Sequence, residues 1–376
     1  MKKKKIFFLI ESFIVGGAEK VLIDIVNNLD TNKFDITVCS VFKHSVYKGY
    51  NNTFEKPFNA NIRYRYLINN HYRWLYLFFN FLLARIPNTL YHLLIGDKHN
   101  IVIAFYEGLP TSWIANAHLK KGEKIAWLHT STQLSQQGRN EKELKMQLKY
   151  YNQYNKIVAV SQGVADSFTN LFNLKNKIIV IYNPINNHSI IEKSENTIPI
   201  KKTVYPTFVS VGRMAEVKGY DRWLRVLLRL KEKGYDFQSW IIGGGNREKY
   251  EKFVKDNQLS NYVIFLGHQD NPYSYMAKAD WIVCPSILEG LSTVVLEGIT
   301  LGKAIVATDC PGMKELLGNS QYGIVCGNNE DSIKDTIENI ICTPVLQTQY
   351  ESTIINQKYK FNIENSIYQI ETLLDA

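Results

Sequence analysis

The chain has 376 residues, 45% hydrophobic and 21% charged, too long for one ordinary core and about right for two. That composition excludes a disordered chain, and the net charge of +9 points to an anionic partner: nucleic acid, a phosphorylated small molecule or an acidic membrane surface. The five cysteines (Cys39, Cys284, Cys310, Cys326, Cys342) are scattered and never spaced as CxxC, which argues against a disulfide framework or a zinc site and fits a reducing cytosol.

Met1-Lys2-Lys3-Lys4-Lys5 before IFFLI has the outline of a signal-peptide start. Glu11 cuts the apolar run too early for that, so solvated lysines ahead of a buried strand are expected. Onward from there, short β-branched and aromatic runs alternate with segments of helical period, the pattern of parallel sheets covered by helices. In the first half, strands are predicted at Ile6–Ile10, Asp35–Val41, Ile101–Phe105, Lys124–Leu128, Lys156–Ser161 and Lys177–Tyr182. Between the first two, Ala18, Val21, Leu22, Ile25, Val26 and Leu29 fall on one helical face. Ile62 to Leu94 mixes arginine and aromatic residues with apolar ones, which fits an interfacial helix or a core-facing helix pair equally. Its most apolar part, Trp74 to Ala84, is far shorter than the roughly 20 residues a bilayer needs.

The second half restarts the pattern. Strands are predicted at Thr207–Val211, Phe237–Ile242, Val263–Leu266, Trp281–Cys284, Ala304–Ala307 and Gly323–Val325, with helices at Asp221–Lys233, Arg247–Asn257 and Asp331–Ile341. The domains implied are 1–185 and 207–358, with a polar linker over 186–206 and a last helix within 359–376. The expected architecture is α/β: two Rossmann-like, doubly wound domains facing across a cleft. Open sheets of this kind bind ligands at the carboxyl ends of their strands.

Five loops lie at such ends. Gly16 and Gly17 open a helix and suit either a phosphate or a plain tight turn. Gly212-Arg213-Met214-Ala215-Glu216-Val217-Lys218-Gly219 carries two cations, able to neutralise a diphosphate or to be merely solvated. Gly243-Gly244-Gly245-Asn246 lacks the spacing of a dinucleotide fingerprint, because Glu248 stands where its last glycine belongs. Gly267 and His268 form a turn that could wall a nucleobase. In PSILEGLSTVVLEG, Glu289 and Glu297 bracket a helix start, where Ser292 and Thr293 are good cap residues. Carboxylates there cannot hold a phosphate, but they can accept bonds from hydroxyls on either side of one.

The Glu289-x7-Glu297 motif, its continuation LGKAIVATDCPGMKELL, the GRMAEVKG loop, VIYNPI and the early GGAEKV resemble the retaining glycosyltransferases of the GT-B fold, in glycosyltransferase family 4. The resemblance covers nearly the whole chain and implies a bacterial enzyme of cell-surface polysaccharide synthesis, of the capsule or lipopolysaccharide type. It implies a nucleotide-sugar donor, normally a UDP-sugar, a glycan or lipid-linked acceptor, an α-linkage, and neither cofactor nor metal. Arg213 and Lys218 would hold the diphosphate, Glu297 the ribose and Glu289 the donor sugar. Leu291, Ser292 and Thr293 would cap the phosphate, with Gly17 facing it and Gly212, Gly267 and His268 nearby. His129, in WLHTS, matches a histidine placed near the transferred sugar, although a lone histidine after an apolar strand is also an ordinary structural residue. The final helix would pack back on the first domain.

Two departures stand out: Ser292 replaces the family's usual proline, and Gly298 its usual alanine. Neither removes a charge. A cytoplasmic protein held peripherally on the inner membrane face is expected, with no nucleic-acid partner. Rival readings are a non-catalytic subunit that kept the fold, and a nucleotide-sugar epimerase or hydrolase, which would need an additional acid or base.

Overall fold

The computed structural model describes residues 2–13, 16–43, 58–69, 73–132, 140–358 and 360–376. The chain divides into two compact units, Met1–Pro184 with Glu364–Ala376, and Ile185–Ile363.

The first unit is built on β1 (Lys4–Ile10), β2 (Phe34–Phe42), β3 (Arg63–Ile68), β4 (Ile101–Ala104), β5 (Glu123–Leu128), β6 (Lys156–Ala159) and β7 (Ile178–Val180). They form one sheet in the order β3-β2-β1-β4-β5-β6-β7, every pairing parallel. Ile6, Phe7, Phe8 and Leu9 are buried on both faces, because a parallel sheet needs helices on each side. The helix Gly17–Asn28 supplies one cover with Val21, Leu22, Ile25 and Val26. Ile14 and Val15, within the GGAE loop's approach, lie outside the described residues.

The edge strand β3 corrects the reading of Ile62–Leu94. Its first part is not helical but pairs with β2, Thr37 opposite Arg63 through Phe42 opposite Ile68. Two helices do follow, Arg73–Arg85 and Pro87–Leu94.

The second unit holds β8 (Thr207–Val211), β9 (Gln238–Ile242), β10 (Val263–Gly267), β11 (Trp281–Cys284), β12 (Ala304–Thr308) and β13 (Ile324–Cys326), in the order β10-β9-β8-β11-β12-β13 and again all parallel. Its largest cover is the helix Tyr220–Glu232, whose Trp223, Leu224, Val226, Leu227 and Leu230 are buried.

The segment 186–206 is not simply a polar linker. Asn186 caps a helix, Asn187–Ser194, that is part of the second unit. Asn187 accepts from the Thr300 hydroxyl (3.0 Å) and donates to the Lys358 carbonyl (3.0 Å), while the Lys193 carbonyl accepts from Asn271 (2.8 Å). At the other end, the helix Ile363–Asp375 belongs to the first unit: Ile370 and Leu374 are fully buried, and Glu371 accepts from the Asp30 amide at 2.8 Å. The first unit is therefore discontinuous in sequence.

Candidate active site

Both sheets reverse their strand order once, between β1 and β4 in the first unit and between β8 and β11 in the second. Ligands of open α/β sheets sit beyond the carboxyl ends at such points. In the second unit the loops after β8 and β11 are those holding Arg213, Lys218, Glu289 and Ser292.

Those two loops are fastened to each other. Gly219 takes φ +72°, and a Cβ there would lie 2.0 Å from the Pro285 carbonyl oxygen, so no other residue lets the loops meet. Buried Arg222 donates to the Pro285 (2.8 Å) and Ser286 (2.6 Å) carbonyls, and the Thr308 hydroxyl donates to Ser286 at 2.5 Å. The result brings Lys218 Nζ to 2.6 Å from Glu289 Oε1, which also accepts from the Ser286 hydroxyl at 2.7 Å. Burial works against the Lys218 ammonium, but Glu289 overrides it and the pKa is raised; the charge of Arg213 opposes this, so the second cation is near. The two loops together carry two cations, Arg213 and Lys218, and two carboxylates, Glu289 and the exposed Glu216.

Downstream, Ser292 caps the helix Thr293–Thr300 by accepting from the Val295 amide, and Leu291 is buried beside it. Glu297 lies in the second turn of that helix, buried, and accepts from the Tyr273 hydroxyl at 3.3 Å. Gly212 is held by its amide on the Ile242 carbonyl (2.9 Å), and its carbonyl accepts from Tyr220 (3.1 Å). The triple glycine after β9 has a packing cause: at Gly243 a Cβ would lie 1.8 Å from the Gly212 carbonyl oxygen. Gly267 ends β10, and the half-exposed His268 ring faces Asp270 at 3.2 Å.

In the first unit, Gly16 precedes and Gly17 begins the helix after β1. His129 follows β5 and is buried between the Phe105 and Tyr106 rings, 4.7 and 5.8 Å away. Burial pushes its pKa down to about 3, so the imidazole is neutral. Sequence reasoning missed Glu107, in the loop after β4, which accepts from the amides of His129 (2.7 Å) and Thr130 (2.8 Å). It missed Tyr273 and Arg222 too. Strand order would have flagged Glu107, since β4 flanks the reversal point.

The protein is thus a parallel α/β chain of two doubly wound units, the second with a lysine–glutamate loop pair at its reversal point. Residues 15–188 match the family described as Glycosyltransferase Family 4, and residues 192–360 match Glycosyl transferases group 1. The chain belongs to the GT-B glycosyltransferases.

A Campylobacter jejuni N-acetylgalactosamine-N,N'-diacetylbacillosaminyl-diphospho-undecaprenol 4-alpha-N-acetylgalactosaminyltransferase is 28% identical over 52% of this chain and 53% of its own. The lipopolysaccharide core biosynthesis glycosyltransferase LpsE of Rhizobium meliloti is 24% identical over 59% of this chain and 66% of its own. The chain spans about half to two thirds of the length of the curated relatives it matches. Among solved structures, Anabaena HepE in complex with UDP and glucose superposes with TM-score 0.74 at 18% identity over 99% of both chains. Sucrose-phosphate synthase from Thermosynechococcus elongatus gives 0.78 at 14%, over 99% of this chain and 98% of that one. These likenesses establish the fold.

Proposed function

We propose that the chain is a retaining glycosyltransferase of cell-surface polysaccharide synthesis, moving a sugar from a UDP-sugar to a glycan or lipid-linked acceptor with an α-linkage. The observation that carries this is the Lys218–Glu289 pair with Arg213 beside it, at the reversal point of the second sheet. Arg213 and Lys218 take the diphosphate, and the amides of Leu291, Ser292 and Thr293 cap it. Glu297 accepts ribose hydroxyls, while Gly212, Gly267 and His268 border the base. Glu289 holds Lys218 in place until the donor sugar's hydroxyls claim its carboxylate. On the first unit, Gly16, Gly17 and His129 are the residues proposed to meet the donor.

In the reaction the bond from anomeric carbon to phosphate oxygen breaks and the acceptor oxygen attacks from the same face. The acceptor's proton passes to the departing phosphate. The positive charge developing on the sugar leaves negative charge on the diphosphate, where the two cations stabilise it. No cofactor or metal is required on this account, since Arg213 and Lys218 supply the charge a metal would.

Membrane attachment has its own support. No helix among the described residues is long and apolar enough to cross a membrane. Yet Trp74, Leu77, Phe78 and Phe81, at helical spacing on Arg73–Arg85, are 61, 57, 54 and 49% exposed. The sequence holds no acidic residue between Glu55 and Asp97, while Arg63, Arg65, Arg73 and Arg85 fall there. An apolar stripe with basic surroundings suits an anionic lipid interface, so the chain is proposed to sit peripherally on the cytoplasmic leaflet.

The deciding experiment screens nucleotide sugars for release of free nucleoside diphosphate. One donor should stand out, and Lys218→Ala should lower its turnover by about 100-fold or more. Full turnover in that variant rejects the mechanism.

A further inference from the structure

In the second unit, the helix Glu330–Cys342 presents three faces. Ile333, Ile337 and Ile340 are buried in the core. Glu330, Asp331 and Glu338 pair with Arg225, Arg229 and Lys233 of the helix Tyr220–Glu232. Ser332, Asp335, Thr336 and Asn339, spaced as i, i+3, i+4 and i+7, form a third, polar stripe. That stripe lines a cavity of about 550 Å³. Only Thr343 and Pro344 join this helix to the next, Val345–Ile354, a connection short enough to lay two helices side by side. Leu346 and Tyr350 of that second helix, with Ile324 of the edge strand β13, make the opposite wall. The Tyr350 ring is steadied edge-on by Trp281, centroids 6.0 Å apart. A gap of this size between packed elements has the dimensions of a ligand site. None of its lining residues lies in the loops after β8 or β11.

The lining selects the chemistry of a guest. Ser332 Oγ accepts from the Gly327 amide at 2.7 Å, so its hydroxyl proton remains to be donated. Asn339 Oδ1 accepts from the Thr343 hydroxyl at 3.4 Å, which leaves its amide N–H groups as donors. Asp335 is 68% exposed and holds the Lys334 ammonium on Oδ1 at 2.6 Å, leaving Oδ2 to accept. Donors and acceptors thus alternate along one wall, the pattern that complements hydroxyls, which are both. On the other wall Tyr350 offers a ring whose faces are electron-rich and suit the C–H side of a pyranose. An anionic guest is disfavoured: Asp335 repels it, and the nearby Lys334 is neutralised by Asp335 and by Glu338 at 3.2 Å. A single carboxylate is too few for a hard metal ion.

We propose that this cleft is a second carbohydrate site, separate from the donor loops, that holds a neutral stretch of the acceptor or product glycan. The sugar-binding chemistry comes from the cleft itself; its assignment to acceptor or product rests on the glycosyltransferase reading. Asp335 and Asn339 fix the sugar's hydroxyls, and Leu346 and Tyr350 cover its apolar side.

Calorimetry on the full chain tests this with maltohexaose, mannohexaose and N-acetylchitohexaose, each alone and with UDP at saturation. At least one oligosaccharide should bind, and equally well when UDP is present. Asn339→Trp, at an exposed position, should fill the cleft and weaken that binding 10-fold or more, while the affinity for UDP holds. Asp335→Ala should weaken it about 10-fold by removing one charged acceptor. If Asn339→Trp does not fold, Asp335→Ala decides by itself. The cleft is rejected as a sugar site if no oligosaccharide binds, if UDP displaces the one that does, or if both variants bind it like the unaltered chain. Failure to bind UDP with oligosaccharide binding intact overturns the donor reading instead, and leaves the cleft standing as a carbohydrate site.

Discussion

Lys218 and Glu289 each have two jobs, one in the empty protein and one in the proposed reaction, and the jobs can be separated. The pair is largely shielded, with side chains 24 and 12% exposed, so removing one partner strands the other's charge. Lys218→Met alone should therefore cost roughly 1–3 kcal/mol of stability. Adding Glu289→Gln should restore most of that without restoring turnover, which denaturant melts and donor turnover on the same preparations would check. If the double variant regains activity, the ammonium is a structural tether only. Buried histidines make a second residue-scale prediction. Burial lowers the pKa of His99 to about 4 and that of His129 to about 3. Both pKa values lie below the unfolded value near 6.5, so the unfolded chain binds protons first on acidification. The stability they contribute is complete above pH ~6.5 and drains away as pH falls toward 4, at about 1.4 kcal/mol per pH unit per histidine. Glu11 and Glu107, raised by burial, act in the opposite sense and blunt the slope. Denaturant melts at pH 7.5, 6.5 and 5.5 should show the loss, and His99→Leu should lessen it.

Elements were legible in the sequence wherever burial alone decides. Runs such as IFFLI and WIVC are buried on both faces, so their composition needs no context. β3 was not legible, because RYRYLI is an edge strand, exposed or half-exposed along its length, and its basic aromatic alternation resembles an interfacial helix. The cationic and acidic loops were legible as motifs, since local spacing creates them. Glu107 was hidden: only strand order sets it against residues 129 and 130. Gly298 shows the limit of propensity reasoning. Alanine would favour the helix by about 1 kcal/mol. A Cβ at that position, however, would lie 2.8 Å from Ile282 Cδ1 and 2.9 Å from Ile305 Cδ1, and both side chains are fully buried. Overpacking costs typically 1–3 kcal/mol, so Gly298→Ala should come out net destabilising by about 1 kcal/mol in denaturant melts. A gain in stability would mean that the two isoleucines yield freely. The helix Arg73–Arg85 offers the other element-scale test. Trp74→Ser with Phe78→Ser should abolish co-sedimentation with anionic liposomes at low salt while leaving the melting temperature unchanged, since both side chains are mostly exposed. Failure of the unaltered chain to sediment removes the membrane proposal.

At the scale of the molecule, the first unit closes only when the last residues of the chain arrive. Ile367, Ile370, Leu373 and Leu374 are buried in it, and Glu371 reaches the Asp30 amide and the Lys33 ammonium (2.8 and 3.5 Å). Burying a side chain of that size is worth about 1.5–3 kcal/mol. Four of them rival the whole 5–15 kcal/mol by which a domain is usually stable. The second unit loses nothing comparable, because Glu364–Ala376 is not part of it. A chain ending at Ile363 should then show selective damage: in calorimetry the transition of the first unit should move down by about 10 °C or more or vanish. The second unit's transition should hold its temperature and still rise when UDP is added, since Arg213, Lys218, Glu289 and Glu297 all lie within it. Equal movement of both transitions would show that the units unfold as one, and the discontinuous first unit would have no separate stability to lose.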